Sequence, residues 1–152
     1  MMYQMNSEER VKIEIALSWA LEAHKGASDR NGCPVVMHPI RVAVRGNTPD
    51  EIIVGFLHDT VEDTDITIEQ IRYEFGGDIA EAVDLLTNDD KGSYDEYIDR
   101  IINSHNDLAI TVKLNDLSDN LDRSIKVNNE TLIEKYSSAK DKIMKATGKN
   151  VI

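Results

Sequence analysis

The chain is 152 residues long, 41% of them apolar and 30% charged, and 28 acidic against 17 basic side chains leave a formal net charge of −11 at pH 7. That length suits one domain over residues 1–152 with a true hydrophobic core, and the acidic balance argues against a nucleic-acid binder, which carries a basic face. No apolar run approaches the ~20 residues of a membrane span, and an anionic ligand would have to be met by local cations or a metal against the field of the whole molecule.

In chain order, the stretch from Met1 to Glu9 lacks the basic and apolar regions of a signal peptide. Helix-start signals then recur. Asn6 with Glu9 is a sparse version, and Thr48-Pro49-Asp50-Glu51, Thr67-Ile68-Glu69-Gln70, Ser93-Tyr94-Asp95-Glu96 and Thr131-Leu132-Ile133-Glu134 are full capping-box patterns. The spacing predicts helices near 7–24, 38–46, 49–62, 67–75, 78–87, 93–104, 107–124 and 130–147, with Gly26, Gly32, Pro34, Gly46, Gly76, Gly77 and Gly92 between them. The first helix is expected to bury Ile13, Ala16, Leu17, Ala20 and Leu21. Ala109 to Val112 is the best strand candidate, but it runs into Leu114, Leu117 and Leu121 at helical spacing. The expectation is an all-α fold, a single compact helical bundle. Cys33 is the sole cysteine, so an internal disulfide is excluded and the cytoplasm is the expected compartment.

The most informative residues are His58 and Asp59, followed by Glu62 and Asp63, because they interrupt the apolar segment Ile52 to Leu57. Unpartnered carboxylates are costly to bury, so this cluster reads as a site, against the alternative of a solvated helix end. A helix would carry the four groups on a partly shared face. His38 precedes Pro39 and is expected at a helix entrance, free to bind a metal, although alone it reads as a loop histidine. His24 is expected to end the first helix and complement its dipole, and His105 has no assigned role. Asp116 and Asn120 share a face at a separation of four, while the opposing reading leaves Asp116, Asp119 and Asp122 all in solvent.

His38, His58-Asp59 and Asp116, in that order, resemble the H…HD…D signature of the HD phosphohydrolase superfamily. The chain is most similar to the hydrolase domain of RelA/SpoT-type enzymes and their small stand-alone relatives, which hydrolyse guanosine 3′-diphosphate alarmones. The landmarks are Ala23-His24-Lys25-Gly26, Gly32-x-Pro34, His38-Pro39-Ile40, Leu57-His58-Asp59-Thr60-Val61-Glu62-Asp63-Thr64, Phe75-Gly76 and Val112-Lys113-Leu114-x-Asp116.

The resemblance implies one divalent ion, usually manganese, on His38, His58, Asp59 and Asp116. It implies catalytic roles for Glu62 and Asp63, Asp63 reading equally as a group that holds the ligands in place. The expected partner is a small nucleotide, with neither nucleic acid nor membrane, and the oligomeric state stays open. Lys25, Arg30, Arg41, Arg45 and Lys113 are candidate phosphate cations, and Asn120 resembles the family's substrate-contacting asparagine.

The family's Arg-Lys pair is Asp29-Arg30 here, its tyrosine after the proline is Val35, and its basic residue after the last aspartate is Leu117. The rival readings are therefore a nucleotide phosphatase or phosphodiesterase of different specificity, and a silent nucleotide-binding module.

Overall fold

Most of the helices begin on a short polar side chain that takes up an amide the helix itself leaves unpaired. In the computed structural model, which describes residues 4–150, these caps open a succession of helices. They are α1 (Ser7–Ala23), α2 (Met37–Val44), α3 (Pro49–Leu57), α4 (Thr60–Asp63), α5 (Ile68–Phe75), α6 (Gly77–Leu86), α7 (Tyr94–Asn103), α8 (Asp107–Lys126) and α9 (Glu130–Thr147). Asn6 and Thr67 form complete capping boxes with Glu9 and Gln70. Thr48, Ser93, Asn106 and Asn129 accept from the amides of Glu51, Glu96, Ala109 and Leu132. Among the described residues extended pairing is confined to one bridge between Ser28 and Pro34, so the fold is all-α as expected. No helix among them is long and apolar enough to cross a membrane. The reading of the N-terminus falls partly on residues 1–3, outside the described stretch.

Three expectations are corrected. The capping box at Thr131 does not form. Asn129 caps α9 instead, because Asn128 takes a positive φ of 54° and turns the chain within the short link after α8. Leu21 is 47% exposed, while Ala16 and Ala20 are fully buried and Ile13 and Leu17 pack partly against the core. The helix expected over 49–62 breaks after Leu57, and His58 and Asp59 form a turn before α4. Side chains cause the break. The His58 Nδ1–H donates to Gly55 O and the Thr60 hydroxyl to Leu57 O, both at 2.7 Å, occupying carbonyls that a continuing helix would offer to its own amides.

α3 is the hub of the bundle, packed against α1, α2, α6 and α8. Ile53, Val54, Phe56 and Leu57 on α3 meet Val112, Leu114 and Leu117 of α8 in one core. The Ala109 to Val112 segment is helical inside α8, with Ala109, Ile110 and Val112 buried. Trp19 and Phe75 pack edge to face, their centroids 5.1 Å apart, and close the α1–α5 side.

The α2–α3 crossing is closest at Gly55, where a Cβ would stand 2.7 Å from Ala43 Cα and 2.8 Å from Ala43 N. Those obstacles are backbone, so relief requires α2 and α3 to separate. Gly55→Ala gains helix propensity of ~1 kcal/mol but meets an overpacking cost of roughly 1–3 kcal/mol or more where backbone must move. The variant is expected to melt several degrees below wild type in a thermal scan, and a melting temperature at or above wild type would show that the crossing has slack.

Candidate metal centre

Three elements aim side chains at one point. His38 lies in the first turn of α2, His58 and Asp59 form the turn after α3, and Asp116 sits midway along α8. His38 Nε2 is 2.8 Å from Asp116 Oδ1, 3.3 Å from His58 Nε2 and 3.7 Å from Asp59 Oδ2. His58 Nε2 is 3.3 Å from Asp59 Oδ2 and 3.4 Å from Asp116 Oδ1. Ligands bound at ~2.1 Å to one ion stand about 3.0–3.5 Å apart across tetrahedral or octahedral edges; three of these five separations fall in that range, and the 2.8 and 3.7 Å contacts of His38 lie just outside it. The donor set of two imidazoles and two carboxylates suits a borderline-to-hard divalent ion. The ligand atoms of His38, His58 and Asp59 all lie within 4.8 Å of one another, close enough for one ion to bridge them. The break between α3 and α4 matters here, because the Gly55 carbonyl that ends the helix also holds the His58 Nδ1–H, leaving Nε2 for the cluster.

The charges sustain one another. Burial opposes protonation of His58, but Asp59 and Asp116 outweigh it and hold its pKa well above the usual histidine value. Burial likewise opposes His38, and its bonds to Asp116 and Asp119 raise it. Burial disfavours an ionised Asp116, yet Lys113, His38 and His58 keep its pKa well below the carboxylate range. Lys113 Nζ sits 2.7 Å from Asp116 Oδ2 and 4.9 Å above the Tyr97 ring, buried with its partner. Glu62 stands on the rim with its pKa pushed up to about 7, first by desolvation and then by the neighbouring Asp59 and Asp63 carboxylates.

A cavity of about 240 Å³ opens above the cluster, lined among others by Glu62, Tyr94, Lys113, Asn120, Arg123 and Lys135. A second, of about 380 Å³, shares Asn120, Arg123, Lys135 and Tyr136 with it and reaches Asp29 and Arg30. Lys113 and Asn120 therefore line the cavity at the cluster, and Arg30 lines only the neighbouring one. Arg41 is engaged with Asp119 and Arg45 with Asp122, at 2.7 and 2.8 Å, and Lys25 is exposed and lines neither cavity. Asp63 is not among the lining residues, although desolvation and Asp59 raise its pKa. His24 does cap the end of α1, but it is 4% exposed and desolvation lowers its pKa, so it is a neutral core residue and not a cation at the helix dipole. Its Nε2 has no hydrogen-bond partner among the described residues.

Sequence reasoning missed Asp119, Arg123, Tyr94, Lys135 and Tyr136. Residues 116, 119, 120 and 123 fall on one helical face, a signal that could have drawn Asp119 and Arg123 inward. For Tyr94, Lys135 and Tyr136 the chain carries no such signal, because they arrive through the packing of α7 and α9.

The chain is similar to known proteins in both sequence and fold. The HD domain profile matches residues 16–93, just over half of the chain and including His38, His58 and Asp59. A guanosine-3′,5′-bis(diphosphate) 3′-pyrophosphohydrolase of Aquifex aeolicus is 34% identical over 129 residues, 78% of this chain and 18% of that protein. A GTP pyrophosphokinase of Streptomyces coelicolor is 37% identical over 89 residues, 56% of this chain and 10% of that protein. The chain thus spans under a fifth of the length of these relatives. A solved structure described as "A metazoan ortholog of SpoT hydrolyzes ppGpp and plays a role in starvation responses" superposes with a TM-score of 0.73 at 25% identity, covering 96% of this chain and 88% of that one. The chain belongs to the HD-domain family and shares the helical fold of its RelA/SpoT-type members.

Proposed function

We propose that residues 1–152 act as one domain, a metal-dependent phosphohydrolase that removes the 3′-diphosphate from a guanosine alarmone. One observation carries the reading: Nε2 of His38 and of His58 each lie within 3.7 Å of carboxylate oxygens of both Asp59 and Asp116, in the wall of a cavity that Glu62 also lines. The similarity to the Aquifex aeolicus enzyme and to the metazoan SpoT ortholog supports the substrate class. The acidic charge of −11 favours a small nucleotide over nucleic acid, and a lone exposed Cys33 suits a reducing cytoplasm.

His38, His58, Asp59 and Asp116 would hold the ion, with Mn²⁺ as its identity. Bound there, it supplies charge to a phosphate oxygen and acidifies water. Glu62, whose pKa burial pushes up to about 7, accepts the proton of the attacking water, with Asp63 beside it in the chain. The water oxygen joins the phosphorus next to the 3′ oxygen, the bond between them breaks, pyrophosphate leaves and the 3′ oxygen takes a proton. Lys113 neutralises Asp116, while Arg123, Lys135 and Asn120 offer donors to the phosphates from the cavity wall.

A nucleotide panel with added Mn²⁺ tests the reading. Pyrophosphate released from an alarmone supports it, orthophosphate from a monophosphate points to a phosphatase of different specificity, and binding without turnover points to a silent module. On the true substrate, Glu62→Gln should keep metal and melting temperature while kcat falls by roughly 10²–10⁴, the range of general acid–base catalysis. Full kcat would remove Glu62 from proton handling.

His58→Ala and Asp116→Ala should each lose stoichiometric Mn²⁺ in elemental analysis, and retention by both would refute the ligand set. In the metal-free fold both imidazoles hold their protons more tightly than a free histidine, so uptake of the ion must displace them. Mn²⁺ affinity should therefore rise from pH 6 to pH 8, with proton release seen as a buffer-dependent calorimetric heat. An affinity flat over this range would contradict the displacement.

A further inference from the structure

We infer that Asp119 is a positioning residue that locks His38 for metal binding, an inference that rests on the metal site proposed above. An imidazole can offer Nε2 to an ion only when its one ring proton sits on Nδ1. For His58 the Gly55 carbonyl fixes this arrangement. For His38 the acceptor is Asp119, whose Oδ2 lies 2.6 Å from Nδ1 on the side of the ring away from the cluster.

Asp119 is itself pinned. Arg41 donates through Nε to Oδ1 at 2.7 Å and through Nη2 to Oδ2 at 3.2 Å, and Arg123 Nε stands 3.3 Å from Oδ2. With 3% of its surface exposed, this carboxylate cannot turn away to water. Asp116 also approaches His38, 2.8 Å from Nε2, but Lys113 and Asn120 already donate to its oxygens at 2.7 and 3.2 Å. The two acids have divided the ring between them.

Asp116 faces the nitrogen that binds, and Asp119 takes the proton of the other nitrogen. They lie three residues apart on α8, so one turn of helix supplies a ligand and the group that orients another. A carboxylate partner also makes an imidazole a stronger donor than a backbone carbonyl does, so His38 and His58 are not equivalent. The consequence for substrate is direct: Arg41 serves the metal site through Asp119 and is not a free phosphate cation.

Asp119→Asn keeps the shape but leaves one acceptor oxygen for three donors, His38 Nδ1–H, Arg41 Nε–H and Arg41 Nη2–H. Two readouts are needed: Mn²⁺ affinity by calorimetry, and ring-nitrogen NMR of the chain loaded with diamagnetic Zn²⁺. The control is Asp122→Asn, which removes the same charge from the same helix at an exposed residue paired, among the described residues, with Arg45.

The expected result is a fall in Mn²⁺ affinity of roughly 10–100-fold for Asp119→Asn, the usual cost of removing a group that orients a ligand. The His38 Nδ1–H signal should be altered, the His58 Nδ1–H signal kept, and Asp122→Asn unchanged. Wild-type affinity with an unaltered His38 signal overturns the inference, as does equal disturbance of both imidazoles, which would make Asp119 a general structural group. Should Asp119→Asn not fold, the wild-type spectrum decides, since a His38 ring bound through Nδ1 overturns it. A wild-type chain that takes up no divalent ion overturns both the metal site and its positioning residue, whereas wild-type uptake that Asp119→Asn leaves unchanged overturns the positioning role alone.

Discussion

The buried pair of Lys113 and Asp116 is the interaction on which the centre depends. A lone carboxylate at this depth would be costly, and two imidazoles alone would leave the balance to their protonation. Lys113 supplies a fixed positive charge 2.7 Å from one Asp116 oxygen, so the other oxygen can face His38 and His58. Tyr97 supports the ammonium with its ring and donates its hydroxyl to Leu86 O at 2.6 Å, tying the charge to the end of α6. Removing one member of such a network strands the others.

The helical frame serves the same end. α8 turns Lys113, Asp116, Asp119 and Asn120 to the centre and Leu114 and Leu117 into the core, so its register sets hydrophobic packing and charge together. α2 can bring His38 and Arg41 to that face only because Gly55 lets the α2 backbone pass within contact distance of α3. The same Gly55 offers its carbonyl to His58. One residue thus fixes the approach of the first imidazole and the orientation of the second.

Much of this was legible in the chain. Capping residues and helical spacing located the helices because those signals are local, and His58 stood out because it ends an apolar run. The break after Leu57 was hidden, since it comes from His58 and Thr60 bonding to carbonyls, and side-chain bonding of that kind leaves no trace in periodicity. His24 was misread for a related reason. Its position fitted a helix end, but whether it faced water or core depended on how α1 packs. Asp119 looked like a solvated acid until α2 placed His38 and Arg41 against it.

The departures from the family pattern also acquire physical meaning. Leu117 is fully buried in the core, so the position after Asp116 cannot send a cation to the cavity in this packing. Asp29 accepts the amides of Asn31 and Cys33 at 2.8 and 3.0 Å, and these bonds lower its pKa and shape the loop. Its other oxygen lies 3.9 Å from Arg123, which also donates to the Asn120 side chain and stands against Asp119. Arg123 therefore joins the loop before α2 to the face of α8 that carries the centre. In a molecule of net charge −11, the cations that reach the cavity from α8 and α9 are a local counterweight to the acidic field. Arg123 and Lys135 line both cavities, so one cation from α8 and one from α9 stand where the two meet.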